Sequence, residues 1–168
     1  MGERGATVVT NPVSNLKLAV GGVFPYAKAR EHGIPVGLGT DGAASNNSLD
    51  LFQDVKHLAL IQKHAARDPA AMPATEAWAV ATGQRSSLLG QSGRVAAGEP
   101  ADFLLVRADA PELTPGDLAA NLVYAASGAV VDTTVVDGRV LMRNGEIGDE
   151  VEVREDAVGS ARRLGVIS

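Results

Sequence analysis

"IPVGLGTDGAASNN", residues 34–47, decides how the rest of the chain is read. Residues 34–40 are apolar on both faces, the pattern of a strand whose parallel sheet is covered by helices on each side. A single carboxylate, Asp41, follows at once, with Gly39 and Gly42 close about it. Upstream, residues 6–10 (ATVVT) form a short β-branched run that predicts another buried strand. Residues 11–15 (NPVSN) supply turn residues, and the pattern from Val23 to Glu31 predicts a helix with Pro25 tolerated in its first turn. Gly33 is placed to cap the end of that helix. Residues 6–40 therefore read as strand, helix, strand, and Asp41 lies at the carboxyl end of the second strand. In parallel sheets that is where functional residues collect.

Downstream, a long helix is predicted from Asn47 or Ser48 to Ala66, with Asn47 and Asp50 as a capping pair. Leu51, Val55, Leu58 and Gln62 fall on one stripe of it, with Phe52 and Ala59 beside them. "DPAAMPAT" (68–75) breaks the pattern, and a second helix from Glu76 to Leu89 is expected, capped by Thr75 and ended by Gly90. The texture then changes to short β runs, with Asp137-Gly138 a strong hairpin signal, a helical stretch at 114–126 and a closing amphipathic helix at 154–164. The expected division is an α/β piece (1–90), a β-sandwich piece (91–150) and a C-terminal helix or tail (151–168).

Hydrophobic residues make up 45% of the 168 residues and aromatics only 4%, so a core must be built from Val, Leu, Ala and Ile. Acids outnumber bases 20 to 15, which argues against nucleic acid as a partner. There is no cysteine, so disulfides and thiolate metal sites are excluded. No apolar run is long enough for a membrane span, and "MGERGATVV" lacks the apolar segment of a signal peptide. A soluble cytoplasmic protein is expected.

An Asp between glycines is more often a turn residue or helix cap than a ligand. So placed, it can nevertheless hold a hard or borderline cation and accept a proton from water. "GLGTDG" matches neither the G-x-G-x-x-G nor the P-loop spacing, which counts against phosphate binding. The neighbouring segments tilt the balance. "NPVSNLKLAVGG" (11–22), "GIPVGLGTDGAASNNSLDLFQDVKHLALIQK" (33–63), "SGRVAAGEPADFLLV" (92–106) and "VVDGRVLMRNGEI" (135–147) together resemble successive signatures of the metal-dependent amidohydrolase superfamily. "GTDGAASNN" is specific to its branch of adenosine-type deaminases and chlorohydrolases, whereas G-x-P-A-D and the Asp-Gly hairpin occur more widely in it.

The resemblance implies an α/β fold: the last two βα units of a (β/α)8 barrel, strands seven and eight at 6–10 and 34–40, followed by part of a small β-sandwich. It makes Asp41 the carboxylate that ligates a catalytic Zn2+ or Fe2+ and moves a proton from activated water to the leaving nitrogen of an aminopurine nucleoside or similar substrate. The other ligands of such a site are a His-x-His pair and two further histidines. The chain has only His32, His57 and His64, with no His-x-His. His32 ends a helix and His57 and His64 share a lysine-flanked helical face, so all three read as surface residues.

The expectation is therefore a C-terminal fragment that holds no zinc by itself and pairs with the missing N-terminal part or with another copy. Thr10 stands where the resemblance leads one to expect histidine, a departure that bears on substrate contacts. Asn11, Ser14, Asn15, Asn46 and Asn47 are candidates for supporting the loop or touching substrate, although each is also explained by turn or cap bonds. Lys17 is a possible substrate contact, Trp78 a core anchor and Asp102 a turn residue. The alternative from another class is a non-catalytic folding or association module.

Overall fold

The computed structural model of the chain describes residues 4–86, 88 and 93–167. They divide into two compact units, Met1–Pro100 with Arg107–Val130, and Ala101–Val106 with Val131–Ser168. Residues 107–130, which the sequence groups with the β-rich piece, count with the first unit. The expected helix end at Leu89 and Gly90 lies outside the described residues.

In the first unit, β1 (Val8–Thr10) and β2 (Val36–Leu38) pair in parallel, Val9 opposite Gly37. Both are shorter than the apolar runs that carry them. The residues 11–15 expected as a turn instead open helix α1 (Pro12–Lys17), because Pro12 sits at the first helical position, where its fixed φ suits the helix and its missing N–H is no loss. Helix α2 (Tyr26–Glu31) starts after Pro25 and ends as expected: Gly33 is left-handed (φ 64°) and Ile34 N donates to Ala29 O at 2.9 Å.

After β2 a single helical turn, α3 (Ala43–Asn46), precedes α4 (Leu51–Ala66). The expected capping pair is corrected here. Asp50 alone caps α4, its carboxylate accepting from Phe52 N at 2.9 Å, while Asn47 is left-handed (φ 67°) and closes α3. Helix α5 (Ala74–Ala81) begins after Pro73, so Thr75 lies inside it, and it stops where Gly83 takes φ 81°. It is shorter than the predicted 76–89 because a left-handed glycine ends the helical hydrogen bonding. Helix α6 (Leu118–Tyr124) is capped by Asp117, which accepts from Ala120 N at 2.7 Å.

The core gathers Tyr26, Ala29, Val36, Val55, Leu58, Ala59, Met72, Ala77, Val80 and Val123. The alanines let the helices approach closely, as the low aromatic content requires. Trp78 lies against it, with its ring 6.0 Å from that of Phe52.

Glu76, in the first turn of α5, ties this unit together: Arg85 Nε donates to its two oxygens at 2.9 and 3.0 Å, Tyr26 OH donates to Oε1, and Arg30 Nε lies 3.7 Å away. The Arg85 hydrogen bonds hold its carboxyl below the ordinary range against the opposing effect of burial, and Tyr26 and Arg30 add to the lowering. A depressed carboxyl stabilises the fold above its unfolded pKa and loses that contribution as pH falls through the folded one. Glu76→Gln is therefore expected to cost about 1–2 kcal/mol at neutral pH, allowing for solvent screening. The difference from the parent should vanish in acid, as checked by urea denaturation at several pH values.

The second unit is a three-stranded antiparallel sheet in the order β3 (Phe103–Val106), β4 (Val131–Val136), β5 (Arg139–Met142), followed by helix α7 (Glu150–Arg163). Asp137 (φ 49°) and Gly138 (φ 72°) form the expected hairpin turn, both left-handed as a tight two-residue connection demands. Asp102 accepts from Asp137 N at 2.6 Å and so fastens that turn to the start of β3. Helix α7 begins before the predicted residue 154, at Glu150.

Candidate active site

β2 delivers the chain to Asp41, whose backbone is left-handed (φ 61°). Asp tolerates this conformation better than most residues because its short side chain bonds the adjacent backbone. Gly42 N donates to Asp41 Oδ1 at 2.8 Å. Two hydroxyls converge on the other oxygen, Ser14 Oγ from α1 and Ser45 Oγ from α3, each at 2.7 Å. Ser14 is itself buried while Asp41 is exposed. The Ser45 bond, then that of Ser14, then the Gly42 amide hold the Asp41 carboxyl below the usual carboxylate range against a small opposing desolvation. The group is thus anionic and fixed in direction. Its two oxygens offer about four lone-pair positions, of which these donors occupy three, leaving an exposed remainder.

The other sequence candidates divide. Ser14 touches Asp41, and Asn46 supports its loop, since the buried Asn46 Nδ2 donates to Thr40 O at 2.8 Å. Asn47 and Lys17 bond one another, and Lys17 Nζ also reaches Ala44 O at 3.0 Å, so both brace α1 against α3 rather than pointing away. Asn11 precedes α1 without capping it through its side chain, and its Oδ1 lies over Gly39, where a Cβ would come within 2.4 Å. That close approach is why residue 39 is glycine. Asn15 lies in α1, its carbonyl accepting from Val20 N at 3.1 Å.

Sequence reasoning missed Ser45 and Asp54. Ser45 stands four residues after Asp41, a spacing that one helical turn closes. Asp54 is fully buried in the first turn of α4, accepting from Val13 N at 3.1 Å and from Asn46 Nδ2 at 3.0 Å. Burial raises its pKa against the lowering by these bonds and by nearby His57, with Asp50 adding a small rise. A signal was available: Asp54 falls four residues before Leu58 and beside Val55, on the buried face of α4, whereas Leu51, expected on that stripe, is exposed at the helix start.

Among the described residues no three His, Cys, Asp or Glu side chains stand together to hold a metal ion. His57 Nδ1 lies 2.7 Å from Gln53 O and His32 Nδ1 2.8 Å from Lys28 O, each within its own helix turn. Among the described residues no helix is long and apolar enough to cross a membrane.

The chain is similar to known proteins over most of its length. The 5'-deoxyadenosine deaminase of Methanoregula boonei is 47% identical over 98% of this chain, which corresponds to 38% of its own length. The 5-methylthioadenosine/S-adenosylhomocysteine deaminase of Dictyoglomus thermophilum is 43% identical over 98% of the chain and 39% of its own. Among solved structures, an adenosine deaminase from Xanthomonas campestris with bound zinc superposes with a TM-score of 0.90 at 31% identity, covering 98% of this chain and 39% of that one. A zinc complex of atrazine chlorohydrolase from Arthrobacter aurescens reaches 0.81 at 26% identity, over 94% and 36%. The chain thus spans about two fifths of the length of the relatives it matches. The mixed α/β architecture is that of amidohydrolase-fold deaminases and hydrolases. Residues 1–141, Asp41 and its hydroxyl partners among them, match the amidohydrolase family, and the chain belongs to it.

Proposed function

We propose that this chain supplies the C-terminal part of a zinc-dependent deaminase acting on an adenosine-type nucleoside, with Asp41 as its metal-ligating and proton-transferring carboxylate. The observation that carries the reading is the setting of Asp41: an exposed, anionic group at a strand end, aimed by Ser14, Ser45 and the Gly42 amide. β1 and β2 are taken as the last two strands of a (β/α)8 barrel. Their isolation as a two-stranded parallel sheet among the described residues supports this, since such a pair is rarely a complete sheet.

Asp41 fits a metal as one ligand, because an open lone pair remains on a carboxylate held in one direction. A catalytic zinc usually takes three protein ligands, so the others come from the remaining three fifths of such an enzyme. Zinc, when bound, lowers the pKa of its water to about 7. Asp41 would take a proton from the water that adds to the aminated ring carbon and pass it to the amine nitrogen, so that the carbon–nitrogen bond breaks and ammonia leaves. The low basicity of Asp41 makes it a poor resting base but favours handing the proton on.

A halotriazine reading has the chlorohydrolase likeness behind it, yet at 26% identity against 47% for the deaminase. The two separate in one assay. The chain is assembled with the N-terminal three fifths of the Methanoregula relative and offered 5'-deoxyadenosine or a chlorotriazine. Ammonia release from the nucleoside is expected; chloride release alone, or neither from a folded zinc-loaded assembly, overturns the proposal.

A further inference from the structure

We propose that Asp54 is the positioning residue of this site, its buried carboxylate locking the two segments that aim Asp41; the inference rests on the reading of Asp41 given above. The links form a closed ring. Asp54 Oδ1 takes Val13 N–H at 3.1 Å, and Val13 is followed by Ser14, whose Oγ donates to Asp41 Oδ2 at 2.7 Å. Asp54 Oδ2 takes Asn46 Nδ2 at 3.0 Å, and the same nitrogen donates to the carbonyl of Thr40, the residue before Asp41, at 2.8 Å. One side chain in α4 thus orients both the helix that carries Ser14 and the turn that carries Asp41.

The chemistry requires a carboxylate at this position. Val13 lies in the first turn of α1, where an N–H has no acceptor within its own helix. Asn46 spends its amide on Thr40 and Asp54, and its Oδ1 accepts from Ser48 N at 3.3 Å. Both groups meeting Asp54 are therefore donors, and only a group with two acceptor oxygens satisfies both. An asparagine turns an N–H toward one of them. Flipping Asn46 to compensate would strand Thr40 O and Ser48 N. A buried polar group left without a partner moves to find one. The packing of α4 rests on Val55, Leu58 and Ala59, which take no part in the ring. Positioning and folding can therefore be tested apart.

The test is NMR on the 168-residue chain without metal or substrate, following the Gly42 amide, which reports the Asp41 carboxylate through its 2.8 Å hydrogen bond, and the Val13 amide. In Asp54→Asn the Gly42 proton is expected to shift upfield and Val13 to exchange with solvent about tenfold faster. In Leu58→Ala the chain loses stability but Gly42 stays where it was. Asn46→Leu cuts the ring at its other side and should move Gly42 in the same way, which keeps the test open if Asp54→Asn does not fold. An unmoved Gly42 in the folded ring variants, or an equal movement in Leu58→Ala, overturns the proposal. Failure of the deaminase reading looks different: no ammonia from the assembled enzyme, with Gly42 still responding to Asp54.

Discussion

Asp41→Asn is expected to reduce ammonia release by the assembled enzyme by about three orders of magnitude or more, since it removes a proton-transfer group worth roughly 10²–10⁴ together with a charged metal ligand. Asparagine keeps the size of aspartate and tolerates a φ of 61°, so the turn should survive. What it lacks is charge and a second acceptor oxygen. Its amide nitrogen must face either the Gly42 N–H or the hydroxyls of Ser14 and Ser45. Hydroxyls rotate and adapt, whereas a backbone N–H does not, so the amide oxygen should keep Gly42 and the two serines should turn to accept. The fold then stays near the parent while zinc content and turnover fall together. A variant that unfolds as turnover falls would instead mark Asp41 as a turn residue.

Leu58→Ala is expected to have the largest effect on stability, about 2–5 kcal/mol. Leu58 is 1% exposed and sits in the core with Val36, Val55 and Val80. Removing its branched end leaves a hole lined by β2, α4 and α5, none of which can close it without breaking the strand pair or the helix contacts. Against a typical total of 5–15 kcal/mol, that leaves the chain marginal. Two residues on, Leu60 is 46% exposed, and Leu60→Ala should change stability by no more than about 0.5 kcal/mol. Urea denaturation of the pair checks which face of α4 is inside; similar losses at both positions would show the helix rotated from the arrangement described.

The contrast between α4 and α5 shows which parts of the fold local pattern determines. α4 was legible because its apolar residues repeat at helical spacing over sixteen residues. α5 ends early because a left-handed Gly83 outweighs the helix-compatible residues beyond it. The turn at 11–15 became a helix because Pro12 reads equally well as a turn residue and as a first helical residue, and only its neighbours decide. The Asp-Gly hairpin was readable for the opposite reason, since few dipeptides accept two left-handed residues in a row.

Asp41 stood out in the sequence by its place after an apolar run and among glycines. Of its surroundings Ser14 and Asn46 were among the candidates, but the bonds that join them to it were not readable, because Ser14 reaches Asp41 from 27 positions away and Asp54 meets Val13 from 41. Such long-range hydrogen bonds leave no periodic trace. Of the histidines read as surface groups, His32 and His64 are exposed, whereas His57 is half-buried, with its Nδ1 close to Gln53 O and its ring near Asp54, because it lies at the edge of the buried face of α4.

The most direct test of the whole account is a structure of the assembled enzyme grown with zinc. One carboxylate oxygen of Asp41 should lie within bonding distance of the metal, with Ser14 and Ser45 still holding the side chain in place. Zinc bound by other residues, with Asp41 turned to solvent and touching only Gly42 and the two serines, would contradict it.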